Sequence, residues 1–241
     1  MMDRERVRYV GAIDPARQHL RLAIADPERL LEQAVARWRG VESYRVTLLS
    51  QERLNNRLGA LAVIEANVLN EPYAVSFRWR SNAGAIDRLL WMPSIHGQEL
   101  IVHPTGIAGK LVAHVRVDPT SAKVRNSSRR DVTRFGLAQT LQTLLDDYRR
   151  GAAEGNLTSE CLGLVACPGA EGPAIGLKRT TSDRRSEARV MLVYLSARDL
   201  RPLRVQQFGW QGQLLGSYDF TDYRPVQLSA ADFALDAVFS N

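Results

Sequence analysis

Apolar and polar positions alternate through much of this chain, most clearly from Tyr73 to Arg80, where Tyr73, Val75, Phe77 and Trp79 share one face and Ala74, Ser76, Arg78 and Arg80 the other. The pattern predicts a strand with one apolar, aromatic face and one wet face. Further strands are predicted over 41–52, 61–69, 88–92, 99–103, 111–117, 161–167, 175–180, 189–196, 203–210 and 213–223. Turn chemistry separates them: Asn55-Asn56-Arg57-Leu58-Gly59 joins the first two and Gln211-Gly212 the last two, with prolines and glycines between 93 and 109. Helical spacing occurs twice. Asp26-Pro27 supplies a cap and a first-turn proline for Leu30, Leu31, Ala34, Val35 and Trp38, and Gly40 ends that helix. Val132, Phe135, Leu141, Leu144, Leu145 and Tyr148 form a second stripe over 132–150 that Asp131 can cap.

Consecutive hairpins with so few helices exclude a parallel α/β sheet, in which each crossover needs a helix. The expected fold class is mainly β (α+β), a strongly curved antiparallel sheet or incomplete β-barrel with two or more helices covering its concave face. Residues 1–25 are weakly patterned, and 26–241 read as one domain. With 241 residues, 45% of them hydrophobic, the chain can bury a core of that size. No apolar run is long enough to span a membrane, and the charged stretch from Met1 to Val10 lacks the apolar core of a secretory signal. The expected location is the periplasm or cell envelope if an export signal lies outside this chain, and the cytoplasm otherwise.

The net charge of +6 changes this picture little. Of 32 basic residues, 29 are arginine, and they are scattered among carboxylates, so no clustered phosphate-binding surface and no nucleic-acid partner is expected. Nucleophile-elbow, Walker, zinc-protease and paired C-x-x-C motifs are absent, and no catalytic residue, metal or cofactor is assigned. His96, His103 and His114 read as ordinary strand-end histidines, and Asp146-Asp147 point about 100° apart around a helix, a poor acid/base pair. The better candidates are aromatic and aliphatic. Tyr73, Val75, Phe77 and Trp79, with Trp91 on a nearby strand, are placed to line an apolar groove or to pack beneath the helices. Asp118, Arg129 and Thr133 form a candidate structural polar cluster where a turn meets the second helix. Cys161 and Cys167 allow two readings, a disulfide across a turn at Gly163 or two reduced thiols.

The run from Glu71-Pro72-Tyr73-Ala74-Val75 through Val117-Asp118-Pro119-Thr120-Ser121 to Arg129, Thr133 and Gly136-Leu137 resembles an uncharacterised bacterial envelope family, domain of unknown function 1571. The likeness extends from about Leu30 to Phe233, through Tyr218-Asp219-Phe220-Thr221-Asp222. More distantly, the helix, meander and Asp-Phe ending look like the periplasmic lipoprotein-carrier (LolA/LppX-like) fold. That resemblance implies a non-enzymatic envelope protein binding a lipid, acyl chain or lipidated protein in a half-barrel cavity. The alternatives are a protein-interaction or sensor module with a packed core and, third, an enzyme.

Overall fold

A computed structural model describes residues 14–240. It opens with α1 (Pro15–Ala25) and α2 (Pro27–Arg39), and one device starts both. An aspartate caps each helix, Asp14 accepting from the Ala16 amide and Asp26 from the Arg29 amide, and a proline fills the first turn. The helix α1 lies within the stretch expected to be weakly structured. Only Ala23 of it is buried, so its sequence carries no full apolar stripe. Residues 1–13 of that stretch lie outside the described residues.

The chain then builds β1 (Ser43–Leu54), β2 (Arg57–Leu58), β3 (Ala62–Leu69), β4 (Ala74–Ser81), β5 (Ile86–Trp91), α3 (Pro93–His96), β6 (Leu100–Pro104), α4 (Gly106–Leu111) and β7 (Val115–Val117). It crosses through α5 (Ala122–Arg125), a 3-10 turn (Val132–Arg134) and α6 (Leu137–Ala153). A second wing follows with β8 (Leu157–Val165), β9 (Ala174–Thr181), β10 (Val190–Ser196), β11 (Pro202–Phe208) and β12 (Leu214–Pro225). A 3-10 turn (Ala230–Phe233) and α7 (Leu235–Phe239) end the described chain. All pairings are antiparallel, in the order β7-β6-β5-β4-β3-β1-β12-β11-β10-β9-β8, with β2 folded back on β1. Asn55 and Asn56, at φ +49° and +61°, make the tight turn that this return requires.

The antiparallel meander matches the sequence pattern, but the curl does not. The sheet is open, not closed or strongly curled, because β7 and β8 stand at opposite ends of the strand order. Two predicted elements also change. The stretch 111–117 is mostly not strand: Gly106 sits at φ +69°, and Gly109 packs so tightly that a Cβ there would lie 2.1 Å from the Pro104 carbonyl oxygen, so the chain coils into α4 beside β6. The helix expected from residue 132 starts at Leu137, since Gly136 at φ +134° cannot be helical, and Asp131 caps only the short 3-10 turn.

Helices α1, α2 and α6 cover one face of the sheet. Leu30, Leu31, Val35 and Trp38 from α2 and Leu137, Leu141, Leu144 and Leu145 from α6 pack there on strand residues of both wings. The opposite face is not wholly wet, as alternation in β4 had suggested. Ala74 is buried with Leu69, Leu90, Met92 and Ile101 beneath Phe233 and Phe239 of the C-terminal segment. Ser76 is also buried, its hydroxyl accepting from the Asn67 side-chain amide at 3.1 Å.

Both cysteines are free thiols. Cys161 lies opposite Leu177 on the helix-covered face, whereas Cys167 falls beyond β8 with Ala174 and Leu203, near Arg204 and Asp219. The sheet separates them, and burial pushes the Cys167 thiol pKa up.

Candidate functional site

The aromatic and aliphatic candidates all belong to, or pack against, one core. Val75 and Phe77 are buried in the main core, with Tyr73 and Trp79 half-buried against it. Phe135 fills the space over them: its ring meets Phe77 edge-on at 4.7 Å and Phe220 at 6.3 Å, and its carbonyl accepts the Tyr73 hydroxyl at 2.7 Å. Burial is the main cause that raises the pKa of Tyr73, so the phenol stays a neutral donor. Trp91 is buried in the same core and in addition borders, with its small exposed part, an open cleft shared with the segment 119–133.

That segment is tied to the sheet by a carboxylate. Glu52, near the end of β1, accepts the Tyr218 hydroxyl at 2.7 Å and the Ser128 hydroxyl at 3.1 Å on one oxygen, and the Arg129 amide at 3.2 Å on the other. The next two side chains extend the network. Arg129 makes a two-pronged pair with Glu187, both bonds 2.9 Å, and Arg130 lies 4.5 Å over the Tyr218 ring and donates to the Thr140 hydroxyl at 3.1 Å. Desolvation pulls the Arg130 pKa down, opposed by the Tyr218 and Glu52 oxygens.

Asp118, Arg129 and Thr133 do not bond to one another. Asp118 accepts both the amide and the hydroxyl of Thr120 at 2.7 Å, and Asp131 accepts the amide and hydroxyl of Thr133 at 2.9 and 2.6 Å. Each aspartate therefore closes its own turn. Arg129 and Thr133 do line one cleft, together with Arg53, Arg125, Arg130, Glu187 and Leu215, which the sequence pattern does not single out. Those residues come from distant parts of the chain, and the adjacent pair Arg129-Arg130 was the local signal available.

The cleft holds about 1000 Å³ and is long. Trp91 pairs with Val75, Val75 with Val68 and Val68 with Tyr44, so Trp91 stands level with Tyr44, nine residues before Arg53. Nine residues at about 3.3 Å each set at most about 30 Å between the two ends, a span that the twist of the sheet from β5 to β1 shortens. Four arginines line it against two carboxylates, Asp131 and Glu187, with Trp91, Val124, Val132 and Leu215 supplying apolar surface. The Arg129 Nε is buried without a hydrogen-bond partner.

The Arg129–Glu187 clasp carries a pH signature. Arg129 holds the Glu187 carboxyl below its usual value of 4.5, so its folded-state pKa lies under the unfolded one. Its stabilisation is complete above that range and is lost as pH falls through the lowered value. Amide exchange at 128–133, corrected for intrinsic rates, is expected to rise below about pH 4.5. Glu187→Gln should give the raised rate already at neutral pH and remove the dependence. The effect is local and small, since Glu187 is 68% exposed.

The histidines serve structure. His96 bonds the Phe233 carbonyl at 3.0 Å, His103 lies between Asp87 at 2.6 Å and the Gly109 carbonyl at 3.1 Å, and His114 packs on Phe239. Among the described residues no group of three or more His, Cys, Asp or Glu is placed to hold a metal ion. No described helix is long and apolar enough to cross a membrane.

An open antiparallel sheet backed by helices on one face is the scaffold that the site is built on. The chain itself belongs to the family described as protein of unknown function DUF1571, whose model matches residues 41–237. No curated protein matches it. Among solved structures, an uncharacterised conserved protein from Thermus thermophilus is similar at 13% identity and TM-score 0.50, over 86% of this chain and 91% of that one. MucB in the Pseudomonas aeruginosa MucA/MucB complex is similar at 15% identity and TM-score 0.50, over 87% of this chain and 60% of that one. This chain therefore corresponds to about three fifths of that MucB chain. The lipoprotein LppX of Mycobacterium tuberculosis matches at 13% identity and TM-score 0.47, over 85% of this chain and all of that one.

Proposed function

We propose that this chain is a non-enzymatic protein of the cell envelope that holds a long amphipathic ligand, an acyl chain bearing an anionic group, in the cleft between Arg53 and Trp91. The observation that carries this reading is the cleft's combination of length, apolar surface and excess arginine. Trp91, Val124, Val132 and Leu215 contact the chain. Arg53 and Arg130 meet the anion. Tyr73, Val75, Phe77 and Trp79 form a deeper seat that opens when Phe135 withdraws.

The test is native mass spectrometry of protein purified from its host, with titration of a fluorescent long-chain fatty acid. Bound lipid is expected, and Trp91→Ala or Arg53→Glu should weaken the fatty acid about tenfold, the loss of one well-buried contact or one charge-assisted bond. Absence of both bound lipid and fatty-acid affinity sinks the reading.

A free sheet edge favours one second reading. Among the described residues the nine-residue β8 pairs with β9 alone and exposes Leu162 and Leu164, so it can accept a strand from a protein partner. MucB, similar in fold, was solved in complex with MucA. Host crosslinking that recovers one protein through β8, with an empty cleft, would favour this reading over the first.

A further inference from the structure

The short helix α4 presents apolar side chains that nothing in the described structure covers. Ile107 is 79% and Leu111 78% exposed, four residues apart and hence on one side of the helix, and Val112 and Val115 continue the exposed surface toward β7. Large aliphatic groups this exposed, and adjacent, mark an interaction surface more often than chance packing.

The helix is a fixed platform. Gly109 seats it directly against the Pro104 carbonyl, and the His103 ring spans the Asp87 carboxylate and the Gly109 carbonyl. The ring thereby ties α4 to both β5 and β6.

Charge selects the partner. Between Glu99 and Asp118 the chain has no carboxylate, while it carries Lys110 and Arg116. Lys110 is exposed beside Leu111 and makes no ion pair among the described residues, and the carboxylates nearest in sequence and pairing face other groups, Asp118 the amide and hydroxyl of Thr120, Glu99 the Arg116 guanidinium at 3.3 Å and Asp87 the His103 ring. An aliphatic ridge with an unneutralised ammonium suits a lipid surface, where the side chains enter the acyl boundary and the lysine stays among phosphates. We propose that α4, with Val112 and Val115, docks this protein on an anionic bilayer. The docking face is separate from the cleft, and the proposal stands whatever the cleft holds.

The experiment is co-sedimentation with vesicles of phosphatidylcholine alone and of phosphatidylcholine mixed with phosphatidylglycerol. Binding is expected on the mixed vesicles and should weaken at high salt. The double variant Ile107→Ser/Leu111→Ser should lose about tenfold or more of the partition, and Lys110→Gln about fivefold. Thermal melts should not move, because these side chains are exposed. Failure of the parent protein to bind mixed vesicles overturns the proposal, as does equal binding by the double variant. A parent dimer in light scattering that the double variant dissolves also overturns it, and assigns the ridge to a second copy of the chain.

Discussion

Phe233→Ala is expected to remove about 3–5 kcal/mol of stability, measured by urea denaturation, which is the range for deleting a fully buried aromatic ring. The ring is 0% exposed and sits on Leu69, Ala74, Leu90, Met92 and Ile101, on the face that the three main helices leave free. Its backbone is anchored as well, with the Phe233 carbonyl bonded to the His96 ring and Asp232 paired with Ser229 in a reciprocal cap. The loss should therefore appear as a cavity under an intact segment. Phe233→Leu, which refills part of the space, should recover about half of the stability. A loss under about 1 kcal/mol would show that the C-terminal segment contributes little to the fold.

Glu52→Ala is expected to cost about 3 kcal/mol and to release residues 118–136 while the sheet stays protected from exchange. Three donors lose their acceptor at once: the Tyr218 hydroxyl, the Ser128 hydroxyl and the Arg129 amide. The Tyr218 residue is 1% exposed, so water does not readily replace the carboxylate. The guanidinium of Arg130 also loses a nearby counter-charge. Glu52→Gln keeps an acceptor but not the charge, and should fall between the two. Hydrogen exchange resolved by segment decides the outcome, and uniform exchange across the sheet would show that Glu52 holds the whole fold and not the segment.

The local elements were legible where one residue pattern dictated them. Asp26-Pro27 and the stripe through Trp38 place α2, and alternation from Tyr73 to Trp79 places β4 with its core side correct. The sequence pattern failed where partners lie far away. Ala74 and Ser76 look solvent-facing until the C-terminal segment, near the far end of the chain, folds over them. The Asp14-Pro15 start of α1 carries the same chemistry as that of α2, but with one buried residue it lacks a stripe to reveal it. At the cleft, Trp91, Arg129 and Thr133 were marked for different reasons, and only the fold brings them to one surface. Glu52 was invisible for a simpler reason: one carboxylate at the end of an apolar strand reads as a solvated residue unless its three donors are seen.

The pairing of β1 with β12 at the middle of the sheet sets a timetable for synthesis. β1 finds β3 as soon as the first wing leaves the ribosome, yet its other edge has no neighbour until β12 emerges, Glu52 waiting for Gly216, 164 positions later. At about 5–20 residues per second that interval is roughly 10–30 seconds. Through it the nascent chain exposes an unpaired strand edge at what will become its centre, with no charged residue between Arg45 and Glu52 to keep other chains away. A product that stops before β12 therefore keeps half a sheet with its middle open, and is expected to depend on a chaperone in a way the finished protein does not.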